Sequence, residues 1–236
     1  MKIELFTFVF NDEDILPFFI RHYAPIVDKM TFIDSDSTDK TLKLIEKYEV
    51  IQTGFTWWDW DEYHKIRNIV WKQSEYDLIF FPDVDEFLYR RNLREFLEKN
   101  EDVYDIYQME GFQMISANFP KPETDILEIK VGIPLPLHSK YAIFNPKADI
   151  YFPDAHNVET TSENVCRFEI KLLHYKYLGV RNMLRRAELI KSRVPSDSYT
   201  AKIKGNILER FSSFIKTEKE YTREFKQLLN RATKVI

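Results

Sequence analysis

The sequence predicts an α/β protein with a mostly parallel central sheet, helices on its faces and further helices at the C-terminus. In residues 1–100, short runs rich in aromatic and β-branched residues alternate with segments of helical periodicity, which is typical of parallel strands joined by right-handed crossovers. The fourth run, residues 78–81, ends in an acidic cluster, and such sheets bind ligands at strand ends. We expect one domain over residues 1–178, in halves 1–100 and 101–178, followed by a helical extension over 179–236.

Three strand–helix units precede the acidic cluster. Their strands are predicted at residues 3–10, 30–33 and 50–53, and their helices end near Tyr23 or span residues 38–48 and 62–73. The fourth run is short and wholly apolar, as expected of a strand buried on both faces. Beyond it, strands are predicted at residues 103–109, 126–133, 140–144 and 167–175, and a helix begins at Val180.

The composition excludes several classes of function. Only five glycines occur in 236 residues, and none forms a Gly-rich phosphate loop. The net charge of −4 gives no basic field for nucleic acid. The single cysteine, Cys166, excludes an internal disulfide and a cysteine-based zinc cluster, and it fits a reducing compartment.

The two ends of the chain bear on localisation. The N-terminal apolar run breaks at Asn11, so we expect no signal peptide, and no stretch approaches the ~20 apolar residues of a membrane span. We therefore expect a cytoplasmic protein. Residues 201–236 carry nine Lys or Arg and four Glu. Such a basic amphipathic terminus suits a helix packed on the domain, which we favour, or peripheral contact with the inner face of the membrane.

The acidic cluster predicts a metal site. Side chains of an extended strand alternate in direction, so Asp83 and Asp85 leave the backbone on one side. With Glu86 they form three carboxylates that repel one another without a counter-charge. Mg²⁺ or Mn²⁺ supplies that charge and keeps open positions for waters and phosphates. The alternative is a solvated acidic turn that leads into a helix.

Polar side chains also follow the first two predicted strands. Asn11 and Glu13 follow the first strand, and Asp34 and Asp36 follow the second. Because parallel strands end at the same edge of a sheet, these residues can meet a ligand there, and an acidic residue after the second strand can accept from a ribose. The alternative is helix capping, by Asn11 and Glu13 for the first helix and by Ser37 or Thr38 for the second.

The motifs FNDED, IDSDSTD, an Arg-Asn pair and FPDVDE succeed one another along the chain. Together they resemble the glycosyltransferases of the GT-A fold, in particular the family-2-like bacterial enzymes, over about residues 1–178. The resemblance implies a metal-dependent transfer of sugar from a nucleotide-diphosphate donor to a glycan or lipid-linked acceptor, in surface polysaccharide synthesis. The alternatives are a carbohydrate-binding protein on the same fold and, less favoured, a Mg-dependent phosphohydrolase.

The resemblance also implies roles for individual residues. Mn²⁺ or Mg²⁺ would be held by Asp83, Asp85 and His174, although a lone histidine in an apolar strand is more often a core residue. The donor would be contacted by Asn11, Glu13, Asp34, Asp36, Arg67 and Asp83.

Members of family 2 invert the anomeric carbon, which requires a base that deprotonates the acceptor hydroxyl. The candidates are Asp154, which we place first, then Glu110 and His156. Trp57, Trp58 and Trp60 stand in a predicted loop, where they either stack on sugars and bases or pack in the core, which we slightly favour.

Overall fold

The computed structural model describes residues 1–54, 60–154, 156–192 and 217–236. The predicted loop at Trp57 and Trp58, whose rings were expected to pack in the core or to stack on a ligand, lies outside these ranges, and Trp60 begins a helix instead of standing in that loop. The chain divides into two compact units, Met1–Phe112 with Pro134–His174 and Gln113–Ile133 with Tyr175–Ile236. All the residues predicted to form the functional site belong to the first unit.

Strands and helices alternate through the first part of the chain, as predicted. They are β1 (Ile3–Val9), α1 (Leu16–Tyr23), β2 (Lys29–Asp34), α2 (Thr41–Leu44), β3 (Glu49–Gln52), α3 (Trp60–Ile69), β4 (Leu78–Phe80), β5 (Glu86–Tyr89) and α4 (Leu93–Lys99).

Strands dominate the middle of the chain and helices its end. The elements are β6 (Ile106–Ser116), a 3₁₀ turn at Ile126–Glu128, β7 (Val131–Pro134), a second 3₁₀ turn at Pro136–His138, β8 (Tyr141–Phe144), β9 (Ile150–Tyr151), β10 (Glu159–Thr160), β11 (Val165–Leu178), α5 (Val180–Ser192), α6 (Glu218–Arg231) and β12 (Thr233–Lys234).

The sheet of the first unit is mostly parallel, in the order β3-β2-β1-β4-β8-β6. Strands β1 to β4 run parallel to their neighbours, whereas β8 is antiparallel to both β4 and β6. The chain runs outward from β1 to β3 and then returns to β4 on the other side of β1. The strand order therefore reverses between β1 and β4, and open α/β sheets bind ligands at the carboxyl ends of such strands.

Large apolar side chains fix the position of α3 against this sheet. Trp71, just after the helix, is 2% exposed and meets the ring of Phe144 edge-on at 4.9 Å. Its indole N–H donates to the carbonyl oxygen of Arg67 (2.8 Å). Burial of one such aromatic side chain contributes about 2–3 kcal/mol, so the backbone that carries Arg67 is firmly held.

Some predicted elements differ from the structure. Helix α1 begins at Leu16 without a side-chain cap, because Asn11 and Glu13 bond to the loop after β2 instead. Helix α2 is a single turn rather than residues 38–48. The strand predicted at 126–133 is a 3₁₀ turn followed by β7, and the strand predicted at 103–109 begins at Ile106 and continues to Ser116.

The second unit has a small core of its own. Helix α6 begins with a capping box, in which Thr217 and Glu220 bond each other's backbone N–H, and Tyr221 and Phe225 on this helix pack in that core with Met183 of α5. Strand β12, which was not predicted, pairs with β7. In the part of the chain that the structure describes, no helix is long and apolar enough to cross a membrane.

Candidate active site

The predicted acidic cluster forms a closed turn at the carboxyl end of β4. The Glu86 backbone N–H donates to the Asp83 carbonyl (2.9 Å), and the Asp83 N–H donates to Glu86 Oε2 (3.0 Å). The buried Tyr23 hydroxyl donates to the Glu86 carbonyl and accepts from the Leu88 N–H, both at 2.9 Å. The residues therefore form an ordered turn into β5, where the alternative reading expected a solvated turn and a helix.

Lys140 supplies a counter-charge inside this turn. Its ammonium lies 2.5 Å from Asp83 Oδ2 and 2.6 Å from Glu86 Oε1, and only 3% of the Lys140 side chain and 1% of the Glu86 side chain are exposed. Burial disfavours both charges, but the attraction between them outweighs it. The two carboxylates raise the pKa of Lys140, and Lys140 lowers the pKa of Glu86. No sequence pattern marks Lys140, because it lies far along the chain from the turn.

Asp85, the other carboxylate of the turn, lies beside His174. His174 Nε2 is 3.4 Å from Asp85 Oδ2, and about nine-tenths of each side chain is buried. The antiparallel pairing of β5 with β11 sets His174 opposite Glu86 and so brings it to the turn. Burial lowers the pKa of His174 despite the attraction of Asp85, so the imidazole is neutral at pH 7.

Two further histidines extend the cluster. The His138 ring stacks on His174 at 4.4 Å and 21°, and His156 meets His138 edge-on at 5.1 Å. His138 Nδ1 lies 3.7 Å from Glu86 Oε1. Gly111 permits this arrangement, since a Cβ there would come within 2.6 Å of the His138 carbonyl group. No sequence pattern marked His138, because it reaches the site only through this close approach of β6 and the 3₁₀ turn.

Arg67 is a buried cation at the end of β4 with no carboxylate partner among the described residues. The residue is 1% exposed, and its guanidinium lies 4.6 Å from the ring centroid of Phe81 and 5.0 Å from that of Phe152. Its hydrogen bonds are long, 3.4 Å to the Phe81 carbonyl and 3.5 Å to the Tyr63 hydroxyl. Among the described residues, its Nε has no hydrogen-bond partner. Several guanidinium donors are therefore left unused.

Asn11 and Glu13 join the loop after β1 to the loop after β2. Asn11 Oδ1 accepts from the backbone N–H of Thr38 (2.7 Å), and Glu13 Oε2 accepts from that of Lys40 (3.0 Å). Asn11 itself has a left-handed backbone, with φ of 49°. These two side chains therefore shape the edge of the sheet where β1 and β2 end.

Asp34 and Asp36 occupy very different surroundings. Asp34 is fully buried at the end of β2. Its Oδ2 accepts from the Ser37 N–H (3.1 Å), whereas its buried Oδ1 has no hydrogen-bond partner in the part of the chain that the structure describes. Asp36 is exposed and has a left-handed backbone, with φ of 61°. A buried carboxylate oxygen without a donor indicates a place where a ligand can supply one.

The three candidate bases also differ in their surroundings. Asp154 Oδ1 accepts from the N–H of His156 (2.7 Å) and of Asn157 (2.8 Å), and its Oδ2 accepts from the Asn157 side chain (2.8 Å). Burial opposes them, but these hydrogen bonds lower the pKa of Asp154. His156 has a buried Nδ1 without a hydrogen-bond partner, and burial, with help from Lys140, lowers its pKa. Glu110 is exposed on β6.

The described residues fit one divalent ion through two side chains. Asp85 Oδ2 and His174 Nε2 are 3.4 Å apart, and neighbouring ligands of an octahedral ion lie about 3 Å apart. No three His, Cys, Asp or Glu side chains of the described residues form a group that could hold a metal. Mg²⁺ often takes only one or two carboxylates and completes its shell with waters and phosphates. Asp83 as a third ligand stays a prediction, since Lys140 occupies one of its oxygens.

Comparison with known proteins supports the fold. No family model matches the chain, and no curated protein matches it. Among solved structures, S. aureus TarS 1–349 matches 91% of this chain and 72% of its own, at 18% identity and a TM-score of 0.51. The same protein in complex with UDP matches 90% of this chain and 72% of its own, at 18% identity and a TM-score of 0.50. The chain spans 44% of the longer TarS structure.

A further similar structure is glucosyl-3-phosphoglycerate synthase from Mycobacterium tuberculosis in complex with Mn²⁺ and UDP-Glc. It matches 84% of this chain and 80% of its own, at 14% identity and a TM-score of 0.46. The likeness to TarS confirms the predicted fold class, a mostly parallel central sheet flanked by helices, of the GT-A type.

Proposed function

We propose that this protein is a glycosyltransferase that takes a sugar from a nucleotide-diphosphate donor and uses one Mn²⁺ or Mg²⁺ ion. The observation that carries the proposal is Arg67, a guanidinium buried at the end of β4 with no carboxylate beside it in the described structure. It stands next to the acidic turn and where the strand order reverses.

An unpaired buried charge calls for an anionic ligand. A guanidinium stays protonated in proteins, and holding its charge out of water costs several kcal/mol unless a partner compensates. The rings of Phe81 and Phe152 offset part of this cost. Phosphate oxygens match the planar fork of Arg67 and would use its free donors, so a diphosphate is the ligand that suits the place best.

Asp34 lies at the same edge of the sheet and would contact the nucleoside. Its unpaired Oδ1 would accept from a ribose hydroxyl or a base N–H. Asn11 and Glu13 would shape the loops around the nucleoside, and the exposed Asp36 would contact the donor at the rim. The TarS complex makes UDP the first nucleotide to test.

Asp85 and His174 would hold the divalent ion. When bound, the ion supplies positive charge that neutralises the leaving diphosphate. Arg67 would bind the phosphates and share that neutralisation. Glu86 keeps the turn closed through its bond to the Asp83 N–H. Lys140 binds Asp83 Oδ2, so the other Asp83 oxygen would face the donor.

The acceptor step requires a proton acceptor, and the contacts favour His156 for it. Both oxygens of Asp154 already accept hydrogen bonds from its own turn, which makes Asp154 a weaker base than the sequence suggested. His156 is neutral and has an unpartnered ring nitrogen, so it can take a proton. Glu110 is the remaining candidate. Inversion and a glycan or lipid-linked acceptor of surface polysaccharide remain proposals from the family resemblance.

The test is nucleotide binding by the wild type and an Arg67→Met variant. Melting temperatures with UDP, GDP, CMP and dTDP, each with and without Mn²⁺, should rise for one nucleotide, because a ligand of the folded state stabilises it. Arg67→Met should bind that nucleotide about 10- to 100-fold more weakly. The control is Arg94→Met, since Arg94 pairs with Asp28 and Glu98 instead of standing unpaired.

Two results would count against the proposal. The first is a folded wild type that responds to no nucleotide. The second is an Arg67→Met variant that binds the nucleotide as tightly as Arg94→Met does. If binding is established, release of the free nucleoside diphosphate from its sugar conjugates measures turnover directly.

A further inference from the structure

Lys140 has no place among the donor or metal ligands expected from the sequence. Its ammonium is nevertheless enclosed by the acidic turn and touches both Asp83 and Glu86. It immediately precedes β8, and the pairing of β8 with β4 carries it there. Only 3% of the Lys140 side chain is exposed, so it does not contact a ligand directly. Its effect on a ligand is to fix the positions of the two carboxylates that it contacts.

Lys140 occupies the place in the turn where a cation could bridge Asp83 and Glu86. Its ammonium lies 2.5 Å from Asp83 Oδ2 and 2.6 Å from Glu86 Oε1. A second pair of metal-binding atoms, Asp85 Oδ2 and His174 Nε2, lies 3.4 Å apart at the same turn. Because the first place already holds a cation, the turn offers one place for a divalent ion, at the second pair.

We propose that Lys140 is a built-in cation that limits this site to a single divalent ion, held by Asp85 and His174, and keeps Asp83 out of its coordination. The inference rests on the donor site proposed above. Lys140 is thus a positioning residue. It fixes one oxygen of Asp83 and one of Glu86, and the Asp83 side chain remains 37% exposed, so its other oxygen is available to the donor.

The proposal predicts that a metal ion rescues the loss of the ammonium. Lys140→Met leaves two uncompensated carboxylates and should lower the melting temperature by about 10 °C in EDTA. Mn²⁺ can then take the place between Asp83 and Glu86, and it should restore at least about half of the loss. Calorimetric titration with Mn²⁺ should give one ion per chain for the wild type and two for the variant.

Lys29 provides a matched control. It also bridges two carboxylates, Glu4 at 2.8 Å and Glu49 at 2.7 Å, but at the opposite ends of the strands. Lys29→Met should gain no more from Mn²⁺ than the wild type does, because Glu4 keeps its hydrogen bonds from Thr31 and Ser74 and the Glu49 side chain is 54% exposed to water. Its Mn²⁺ stoichiometry should stay at one.

A second pair of variants tests the coordination while Lys140 itself is kept. Asp83→Asn, at a half-exposed position, should still bind one Mn²⁺ with an affinity within about threefold of the wild type, whereas Asp85→Asn should lose the ion. The proposal is overturned if Asp83→Asn loses the ion, if the wild type binds two ions or none at millimolar Mn²⁺, or if a folded Lys140→Met gains no more from Mn²⁺ than Lys29→Met. These outcomes decide it even where Lys140→Met does not fold.

All of these measurements are made without nucleotide. Failure of the proposed function therefore has a different signature, a wild type that binds one Mn²⁺ but no nucleotide.

Discussion

Asn68 and Phe152 form two reciprocal hydrogen bonds across the first unit. The Asn68 side-chain amide donates to the Phe152 carbonyl (3.0 Å), and the Phe152 N–H donates to Asn68 Oδ1 (2.8 Å). The Asn68 side chain thereby makes the two backbone hydrogen bonds to Phe152, the residue after β9, that a neighbouring β-strand would otherwise make. Because Phe152 also lies against Arg67, this pair ties α3 to a wall of the candidate diphosphate site.

Replacing Asn68 with Ala should therefore affect both stability and binding. Two buried backbone groups of Phe152 lose their partners, which should cost about 2–4 kcal/mol, and nucleotide binding should weaken as the wall loosens. Urea unfolding and nucleotide titration measure the two effects. Asn100→Ala is the control, because it removes a single bond to the Phe96 carbonyl. Equal losses in the two variants would contradict the assigned role.

Glu86→Gln should destabilise the protein through Lys140. The amide keeps the shape but removes the charge, so the buried ammonium keeps only the half-exposed Asp83 as partner. We expect a loss of about 3 kcal/mol in the free energy of unfolding. Glu95→Gln removes an exposed carboxylate from its pair with Lys99 and should leave the melting temperature unchanged. A Glu86→Gln variant as stable as Glu95→Gln would show that the buried pair adds nothing.

Asp34→Asn should weaken nucleotide binding without lowering the stability of the protein. The substitution removes a fully buried negative charge whose Oδ1 has no partner, so the melting temperature should hold or rise. Nucleotide affinity should fall at least about tenfold, because an amide replaces an acceptor oxygen that a ribose or base would use. Calorimetry with the nucleotide found above measures this. Unchanged affinity would remove Asp34 from the donor site.

Stability should fall as the solution becomes acidic. Burial lowers the pKa of His64, His156 and His174 in the folded chain, so near pH 6.5 the unfolded chain binds protons that the folded chain does not. The free energy of unfolding should be level above about pH 7 and decrease as the pH falls below about 6.5. Urea unfolding across this range measures the slope, and His156→Gln should make it shallower. An equal slope in this variant would assign the effect to other groups.

Local pattern was enough to predict the central sheet and the strand ends at which the candidate site lies. The apolar runs that became β1, β2 and β4 are buried on both faces and end in polar residues, so neither their type nor their shared edge depended on distant contacts. Arg67 and Asp34 were expected near the donor, and the structure adds their burial and their unused hydrogen-bonding atoms.

The remaining features of the site could not be predicted, because they depend on contacts between distant parts of the chain. Lys140 looked like an ordinary first residue of a predicted strand, because its partners lie far away in the sequence, at the turn between β4 and β5. His138 reaches the site only because Gly111 leaves room for its turn. Asn11 and Glu13 appeared to cap α1, yet their partners lie in the loop after β2.

The register between β5 and β11, which sets His174 against Glu86, has a consequence for synthesis on the ribosome. The acidic turn emerges early, but its ammonium and its imidazole arrive only with residues 140 and 174. Until then the nascent chain carries the three carboxylates without this ammonium and this imidazole. The pair of Asp85 and His174 is therefore completed late in synthesis. A chain truncated after β8 would have the acidic turn but would lack the His174 side chain needed to bind the ion.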